Sequence, residues 1–320
     1  MKNIVERVAN LPVAFFSVVM GLSGLAMSWR QAHDVVKFNF NISDSLSWLA
    51  LAAFIIIFLA YLVKVFKYPD MVKAEFSSGE QIGFFATISV SFILISICML
   101  DIQSGLSFGF WLVGTLGHLS LTLVVVNRWI YHTDNSLSSI TPVWFIPTVG
   151  NILVPVAGVK FAPTEFAWFF FSLGLLLWMI IFIMLLFRLF FDEPLPMNII
   201  PTMFIMLAPP AVAFISWMSF NLELDFFARF LYYSALFIFL LLFSKIFGFA
   251  RLPFTLGWWA YSFPLAAMTV ASFKMYELTS MNFLLLFAWG LLGLLSVLIA
   301  YLIVRTIIAV KRHEILPVPQ

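Results

Sequence analysis

The sequence predicts an all-α integral membrane protein, and three observations support that prediction. Hydrophobic residues make up 63% of its 320 residues and charged residues only 10%, whereas a soluble domain carries roughly a quarter charged residues. The apolar runs are roughly 19 to 30 residues long, the length of membrane-spanning helices, while the strands of a membrane barrel need only about ten. Lipid offers the backbone no hydrogen bonds, so these runs must satisfy their own amides as helices.

Ten such runs divide the chain. We predict spans at about 11–29, 44–66, 82–100, 108–130, 140–159, 164–189, 199–218, 226–248, 254–273 and 281–306. The first span follows Lys2 and Arg7, as a signal peptide would, but no cleavage site is evident, so we interpret it as a membrane helix. No stretch is polar enough for a soluble domain, which predicts a single transmembrane domain over residues 1–320.

The basic residues predict the orientation of the spans. Those on the side of the N-terminus are Lys2, Arg7, Lys64, Lys67, Lys73, Arg128, Arg188, Lys245, Arg251, Arg305, Lys311 and Arg312, which is 12 of 17. The other side has Arg30, Lys37, Lys160, Arg229 and Lys274. Because Lys and Arg accumulate on the cytoplasmic side, both termini are predicted to be cytoplasmic. We expect a multi-pass protein of the plasma membrane, the inner membrane of a bacterium.

Proline inside the spans is confined to the odd-numbered ones. These prolines are Pro12, Pro142, Pro147, Pro155, Pro201, Pro209, Pro210 and Pro264. A proline leaves a carbonyl without its helical donor, and lipid cannot supply one. The odd helices of five hairpins are therefore predicted to form an inner pore ring and the even helices an outer layer. The breakers predicted to kink the ring near mid-depth are Gly21, Pro147, Gly150, Pro209, Pro210 and Pro264. Packing kinks without a pore remain an alternative, because proline is common in membrane helices.

The central parts of the odd spans carry hydroxyl groups and no charge. The candidates to line a pore are Ser17, Ser91, Thr148, Ser262 and Thr269. Weak neutral donors suit rapid passage of an ion, because a site that holds an ion tightly releases it slowly. Each hydroxyl could instead bond a carbonyl of its own helix.

His118 lies in the middle of the fourth span and is the clear ionisable exception there. We interpret it as a neutral partner in an interhelical hydrogen bond, with a pH-sensitive residue behind the pore as the alternative. The four histidines are scattered without metal spacing, and the single cysteine, Cys98, excludes an intrachain disulfide. Hydrolase, kinase and dinucleotide motifs are missing, so neither an enzyme nor a cofactor is predicted.

Four segments of the odd spans resemble one known family. They are Gly257–Met268 (GWWAYSFPLAAM), Pro12–Leu25 (PVAFFSVVMGLSGL), Thr141–Pro147 (TPVWFIP) and Ala208–Pro210 (APP). They look like helices of the tellurite-resistance/dicarboxylate transporter family. That family includes the bacterial tellurite-resistance protein TehA, the plant guard-cell slow anion channel and the yeast malate permease. One departure is Ser17, which follows a phenylalanine pair where the family often has glycine.

The resemblance implies a homotrimer in which the odd helices of each protomer form its own pore. It also implies that a phenylalanine of the ninth helix plugs that pore at mid-membrane, and the matching residue here is Phe263. The implied function is an anion channel for small monovalent anions such as chloride or nitrate. A carrier of C4-dicarboxylates or of an oxyanion such as tellurite or sulfite, with or without proton coupling, is the alternative.

Overall fold

The computed structural model describes residues 7–38, 40–78, 81–131, 136–220 and 223–316. Within these ranges the chain is helical and has no strand, which confirms the predicted all-α class. The α-helices are α1 (Phe16–Val36), α2 (Ser43–Lys67), α3 (Pro69–Ser77), α4 (Ala86–Met99), α5 (Ser104–Tyr131), α6 (Ile146–Phe161), α7 (Thr164–Phe191), α8 (Ala208–Phe220), α9 (Phe226–Phe243), α10 (Ile246–Ala250), α11 (Ser262–Thr279) and α12 (Asn282–Lys311).

A short 3₁₀ helix precedes each α-helix of the odd spans. These five lead-in segments are Val13–Phe15 before α1, Ile82–Phe85 before α4, Pro142–Phe145 before α6, Ile200–Leu207 before α8 and Leu256–Tyr261 before α11. Two further 3₁₀ turns cover Val8–Asn10 and Leu137–Ser139.

The prolines predicted to kink the odd spans lie where 3₁₀ helix gives way to α-helix. Pro147 is the second residue of α6, Pro209 and Pro210 are the second and third residues of α8, and Pro264 is the third of α11. The first turn of an α-helix tolerates proline because its amides have no partner within the helix. Helix α1, in contrast, runs through Gly21 without interruption.

Helices α1, α4, α6, α8 and α11 form a closed inner ring, in which each packs on the next and α11 packs on α1. The lead-in segments close a second ring in the same order. Helices α2, α5, α7, α9 and α12 form the outer layer, each against the inner helix of its own hairpin. In the most apolar stretch of the inner span Pro142–Phe161, 89% of the residues are buried. In the corresponding stretch of the outer span Ser43–Lys67, only 28% are buried. The odd helices are therefore the inner ones, as the proline positions predict.

Nine helices of the described residues are long and apolar enough to cross a membrane. Helix α11, which corresponds to the predicted span 254–273, is not among them. The count of ten spans is therefore not confirmed. The structure also ends the eighth predicted span at Phe243, where a short turn separates α9 from α10.

Basic side chains of the outer helices contact the chain where it approaches the inner ring. The contacts are Lys64 with the Leu11 carbonyl, Arg128 with the carbonyls of Phe76 and Ser77, Arg188 with the Ile140 carbonyl, and Arg305 over the Phe254 ring. Each cation lies in the last two turns of its helix, where the helix dipole favours positive charge. In four of the five hairpins, these contacts join the outer helix to the chain segment that precedes the inner helix, at the same end of the bundle.

The two described ends of the chain meet at this end as well. The Arg7 guanidinium donates to the carbonyl of Val310 at 2.5 Å and to that of Leu316 at 3.0 Å. The predicted cytoplasmic termini themselves fall on residues 1–6 and 317–320, which lie outside the described residues.

Candidate functional site

A cavity of about 350 Å³ lies inside the inner ring, at the N-terminal ends of its five helices. Its wall is formed by residues within 12–20, 81–90, 141–153, 198–208 and 255–264, together with Glu75. We call it the vestibule. Because the five inner helices run parallel, all five direct their N-terminal ends toward it. A helix N-terminus carries a partial positive charge, so this arrangement favours an anion.

The vestibule wall is mostly apolar, with a small number of neutral polar groups. They are Ser17, Gln81, Thr87, Thr141, Asn198, Thr202 and Thr255. The buried Thr255 hydroxyl has no hydrogen-bond partner among the described residues. Glu75 is the one ionisable side chain among the described residues of the wall. Such a wall offers weak contacts rather than a fixed cationic binding site.

Phe263 closes the far end of the vestibule. A second void, of about 10 Å³, begins beyond its ring. Among the described residues, Phe263 and Leu153 alone border both voids. The Phe263 side chain is only 6% exposed. The two residues therefore form the constriction that separates the voids.

Beyond the constriction the wall of the second void contains no polar side chain among the described residues. This apolar segment consists of Gly24, Met27, Val156, Val212, Ile215, Ala266, Ala267 and Val270, together with the two constriction residues. A cavity needs roughly 10–15 Å³ to hold one water molecule. The apolar segment therefore has room for one water at most, and the path beyond Phe263 is closed.

Two glycines of α1 let that helix pack closely against α11, which carries Phe263. A Cβ atom at Gly24 would lie 2.6 Å from the Ala266 Cβ and 3.6 Å from the ring of Phe263. A Cβ atom at Gly21 would lie 2.6 Å from the Ser262 hydroxyl and 2.9 Å from the Trp259 ring. Any side chain at either position would push α1 away from α11. Gly21 thus serves close packing of two inner helices.

The structure brings one of the five candidate lining hydroxyls, Ser17, to the vestibule. The other four are fully buried away from it, and each donates to a carbonyl of its own helical turn. The bonds are Ser91 to Thr87 at 2.7 Å, Thr148 to Phe145 at 3.0 Å, Ser262 to Trp259 at 2.6 Å and Thr269 to Leu265 at 2.7 Å. Of the six predicted kink residues, Gly150 and Pro264 border the vestibule.

His118 lies directly behind the vestibule wall. Its ring fills the space that a side chain at Gly150 would need, so that glycine lets α5 approach α6. The His118 Nδ1 atom lies 2.8 Å from the Ser89 hydroxyl, a hydrogen bond that joins α5 to α4. Its Nε2 atom has no partner among the described residues.

Glu75 and its partner Lys64 were not identified from the sequence. Glu75 belongs to α3, in the polar loop between the second and third spans, where a charged residue is usually solvated. The available signal was Lys64, a charge inside the end of a span. A buried cation needs a partner, and the next loop contains carboxylates that could supply one.

A ring of helices around an axial cavity, closed by an apolar constriction, defines a membrane channel or transporter. The family described as SLAC1, voltage-dependent anion channel, matches residues 10–307, and the chain belongs to that family. The resemblance found in the four segments is thereby confirmed. The protein is a multi-pass membrane protein of an anion channel and transporter family.

Three relatives illustrate the range of this family. The S-type anion channel SLAH2 of Arabidopsis thaliana is 28% identical over 83% of this chain and 52% of its own length. A Methanocaldococcus jannaschii protein called uncharacterized transporter MJ0762 is 23% identical over 96% of this chain and 97% of its own. The tellurite resistance protein TehA homolog of Haemophilus influenzae is 26% identical over 91% and 90%. This chain spans about half the length of SLAH2 and of the related plant channel SLAH3.

Proposed function

We propose that the protein is an anion channel that conducts small monovalent anions, such as chloride and nitrate, along the axis of each protomer. We propose Phe263 as the gate. The observation that carries the proposal is the position of Phe263, with Leu153, between the vestibule and the apolar segment. An anion on this path must pass the ring.

The charge distribution supports anions rather than cations. The N-terminal ends of five parallel helices face the vestibule, and Arg128, Arg188 and Arg305 lie near the ends of three outer helices at the same end of the bundle. Such a field raises the local concentration of anions without a tight binding site. The neutral hydroxyl and amide groups of the wall give weak contacts, which favour flux over retention.

The physical basis of the gate is dehydration. An ion that enters an apolar constriction loses its water and gains no replacement ligands, so the barrier is high although the blocking group is neutral. The vestibule on one side of Phe263 leaves space for the ring to move. Movement of one side chain would then open the vestibule to the apolar segment.

We further propose that the active form is a homotrimer with one pore in each protomer, in the bacterial inner membrane. The apolar, exposed faces of the outer helices support contact with lipid and with other protomers. We also propose one transmembrane domain over the whole chain, cytoplasmic termini, and conduction rather than catalysis.

Currents through purified protein in planar bilayers test the proposal. In a chloride gradient the reversal potential should follow the anion Nernst potential, and replacing potassium by a bulky organic cation should not change it. Because no fixed charge of the described residues borders the apolar segment, nitrate and iodide, which shed water easily, should permeate at least as well as chloride. Strong preference for sulfate would contradict this expectation. A reversal potential that moves with the proton gradient, or dicarboxylate exchange without current, would instead identify a carrier.

A further inference from the structure

Glu75 occupies an unusual place for a carboxylate, because it lies in the wall of an anion pathway. Its Oε1 atom accepts a hydrogen bond from the Val13 amide at 2.6 Å, at the start of the first lead-in segment. Its Oε2 atom accepts from the Lys64 ammonium at 2.7 Å and from the Tyr61 hydroxyl at 3.1 Å. Its side chain is nevertheless part of the vestibule wall.

Lys64 is buried behind this carboxylate, with a side chain that is 4% exposed. Its ammonium also donates to the Leu11 carbonyl at 2.8 Å. Lys64 itself does not border the vestibule, so the carboxylate stands between the cation and the pathway. At 2.7 Å the carboxylate offsets much of the field of the ammonium for an ion several ångströms away.

We propose that the Glu75–Lys64 pair sets the electrostatic potential of the vestibule and thereby the rate and selectivity of anion conduction. This inference rests on the proposed channel function. Glu75 masks Lys64, which keeps the vestibule from holding anions too tightly. Loss of the carboxylate charge exposes the cation to passing anions, whereas loss of the ammonium leaves an anion in the wall that repels them. The apolar surroundings strengthen both effects, because low-dielectric walls focus the field.

Charge variants of the pair test the proposal in proteoliposomes of purified protein, with the initial rate of chloride efflux as the readout. In about 10 mM salt, where the Debye length is about 30 Å, Glu75→Gln should raise the rate about threefold. Lys64→Gln should lower it by a similar factor and reduce the selectivity for anions over cations in the reversal potential. In about 1 M salt, where the Debye length is about 3 Å, both differences should become smaller.

The double variant Lys64→Gln/Glu75→Gln separates charge from structure. It restores the net charge of the wild-type pair, so its efflux should return to the wild-type rate although both ionic contacts are lost. Asp70→Asn is the matched control, because Asp70 belongs to the same helix as Glu75 but its side chain is 93% exposed. That variant changes the net charge equally and should leave efflux unchanged.

The results distinguish this inference from the function on which it rests. Chloride efflux through the wild type, with the same rate in folded Glu75→Gln at low salt, would overturn the inference alone. Lack of anion efflux from the wild type would overturn the proposed channel and the inference with it. If Glu75→Gln fails to fold, Lys64→Gln becomes the test of the proposal, and an unchanged chloride efflux rate in that variant would overturn it. A rate change that is undiminished in high salt would also overturn it, because a structural effect is not screened.

Discussion

The two halves of the axial path differ in size and in chemistry. On one side of Phe263 the vestibule holds about 350 Å³ and is bordered by hydroxyls, amides and one masked carboxylate. On the other side the apolar segment holds about 10 Å³ and is bordered, among the described residues, by aliphatic side chains, glycine and the Phe263 ring. The vestibule is bordered by all five inner helices and their lead-in segments, whereas the described wall of the apolar segment comes from α1, α6, α8 and α11.

In the proposed channel, the closed state has two barriers in series. The Phe263 ring is the proposed steric block, and the apolar segment beyond it is too small and too apolar to hold a column of water. The ring can be removed by one substitution, whereas the second barrier depends on several side chains. The variants below separate the two contributions.

The largest effect is expected from Phe263→Ala. Removing the ring joins the vestibule to the apolar segment, so the chloride current should rise about tenfold or more above wild type. Because the ring borders the vestibule on one side, the loss of stability should stay below the about 3–5 kcal/mol typical of a packed phenylalanine. Phe263→Leu keeps an apolar plug of smaller size and should give an intermediate current. Bilayer currents and the melting temperature measure both quantities.

Phe273→Ala is the matched control for the gate. Phe273 is on the same helix, but it is fully buried against Trp289, with ring centroids 5.5 Å apart. This variant should lose about 3–5 kcal/mol of stability and gain no current. A Phe263→Ala protein that is equally destabilised and conducts no better than wild type would show that Phe263 is a packing residue.

A smaller effect is expected from making the apolar segment polar. Val270 borders the second void, and Val270→Thr places a hydroxyl there without a large change of volume. In the Phe263→Ala background this hydroxyl should favour water in the segment and raise the current about twofold to threefold. In the wild-type background the ring still blocks the path, so the current should not change.

Val154→Thr controls for the introduction of a hydroxyl into an inner helix. Val154 is fully buried in α6 and borders neither void. This variant should lose stability by about 1–2 kcal/mol, because a buried hydroxyl needs a partner, with no gain in current. If Val270→Thr has no effect in the Phe263→Ala background, the ring is the sole barrier, and the apolar segment does not limit the current.

Whether a helix is inner or outer could be predicted from the sequence, because proline inside a span is tolerated where the helix is shielded from lipid. Pro147, Pro209 and Pro264 all fall on inner helices, and each lies in the first turn of its α-helix. The preceding 3₁₀ helices were not predicted, although Pro142 and Pro201 near their starts are a usable signal of a helix N-terminus. Phe263 was identified from a resemblance, since composition alone gives it no distinction among 39 phenylalanines.

The rotation of each inner helix could not be predicted. An inner helix is buried on all sides, so hydrophobic periodicity does not reveal which face meets the axis. Close contacts such as Gly24 against Ala266 determine the rotation of the helix, and they depend on the neighbouring helix. Glu75 was missed for a related reason, because its burial depends on Val13, which lies 62 residues away along the chain.

The smallest effect concerns the hydroxyls of the inner helices. Ser17 borders the vestibule, and its hydroxyl donates to the Ala14 carbonyl at 2.6 Å. Its proton is therefore engaged, and a passing anion meets the oxygen edge rather than a free donor. Ser17→Ala should change the permeability of nitrate relative to chloride by less than about twofold, since a neutral hydrogen bond contributes only about 1 kcal/mol and this one is not made to the ion.

Ser91 is the matched comparison for Ser17, because its hydroxyl donates to Thr87 at 2.7 Å and to Phe16 at 3.3 Å, away from the vestibule. The bond to Phe16 joins α4 to α1, so Ser91→Ala should lower stability by about 1 kcal/mol and leave the permeability ratio unchanged. Reversal potentials under mixed nitrate and chloride, with melting temperatures of the same preparations, measure both. A larger shift of the ratio in Ser91→Ala than in Ser17→Ala would mean that α4 turns a different face to the axis when the channel conducts. Rotation of an inner helix, rather than movement of the Phe263 ring alone, would then be part of opening.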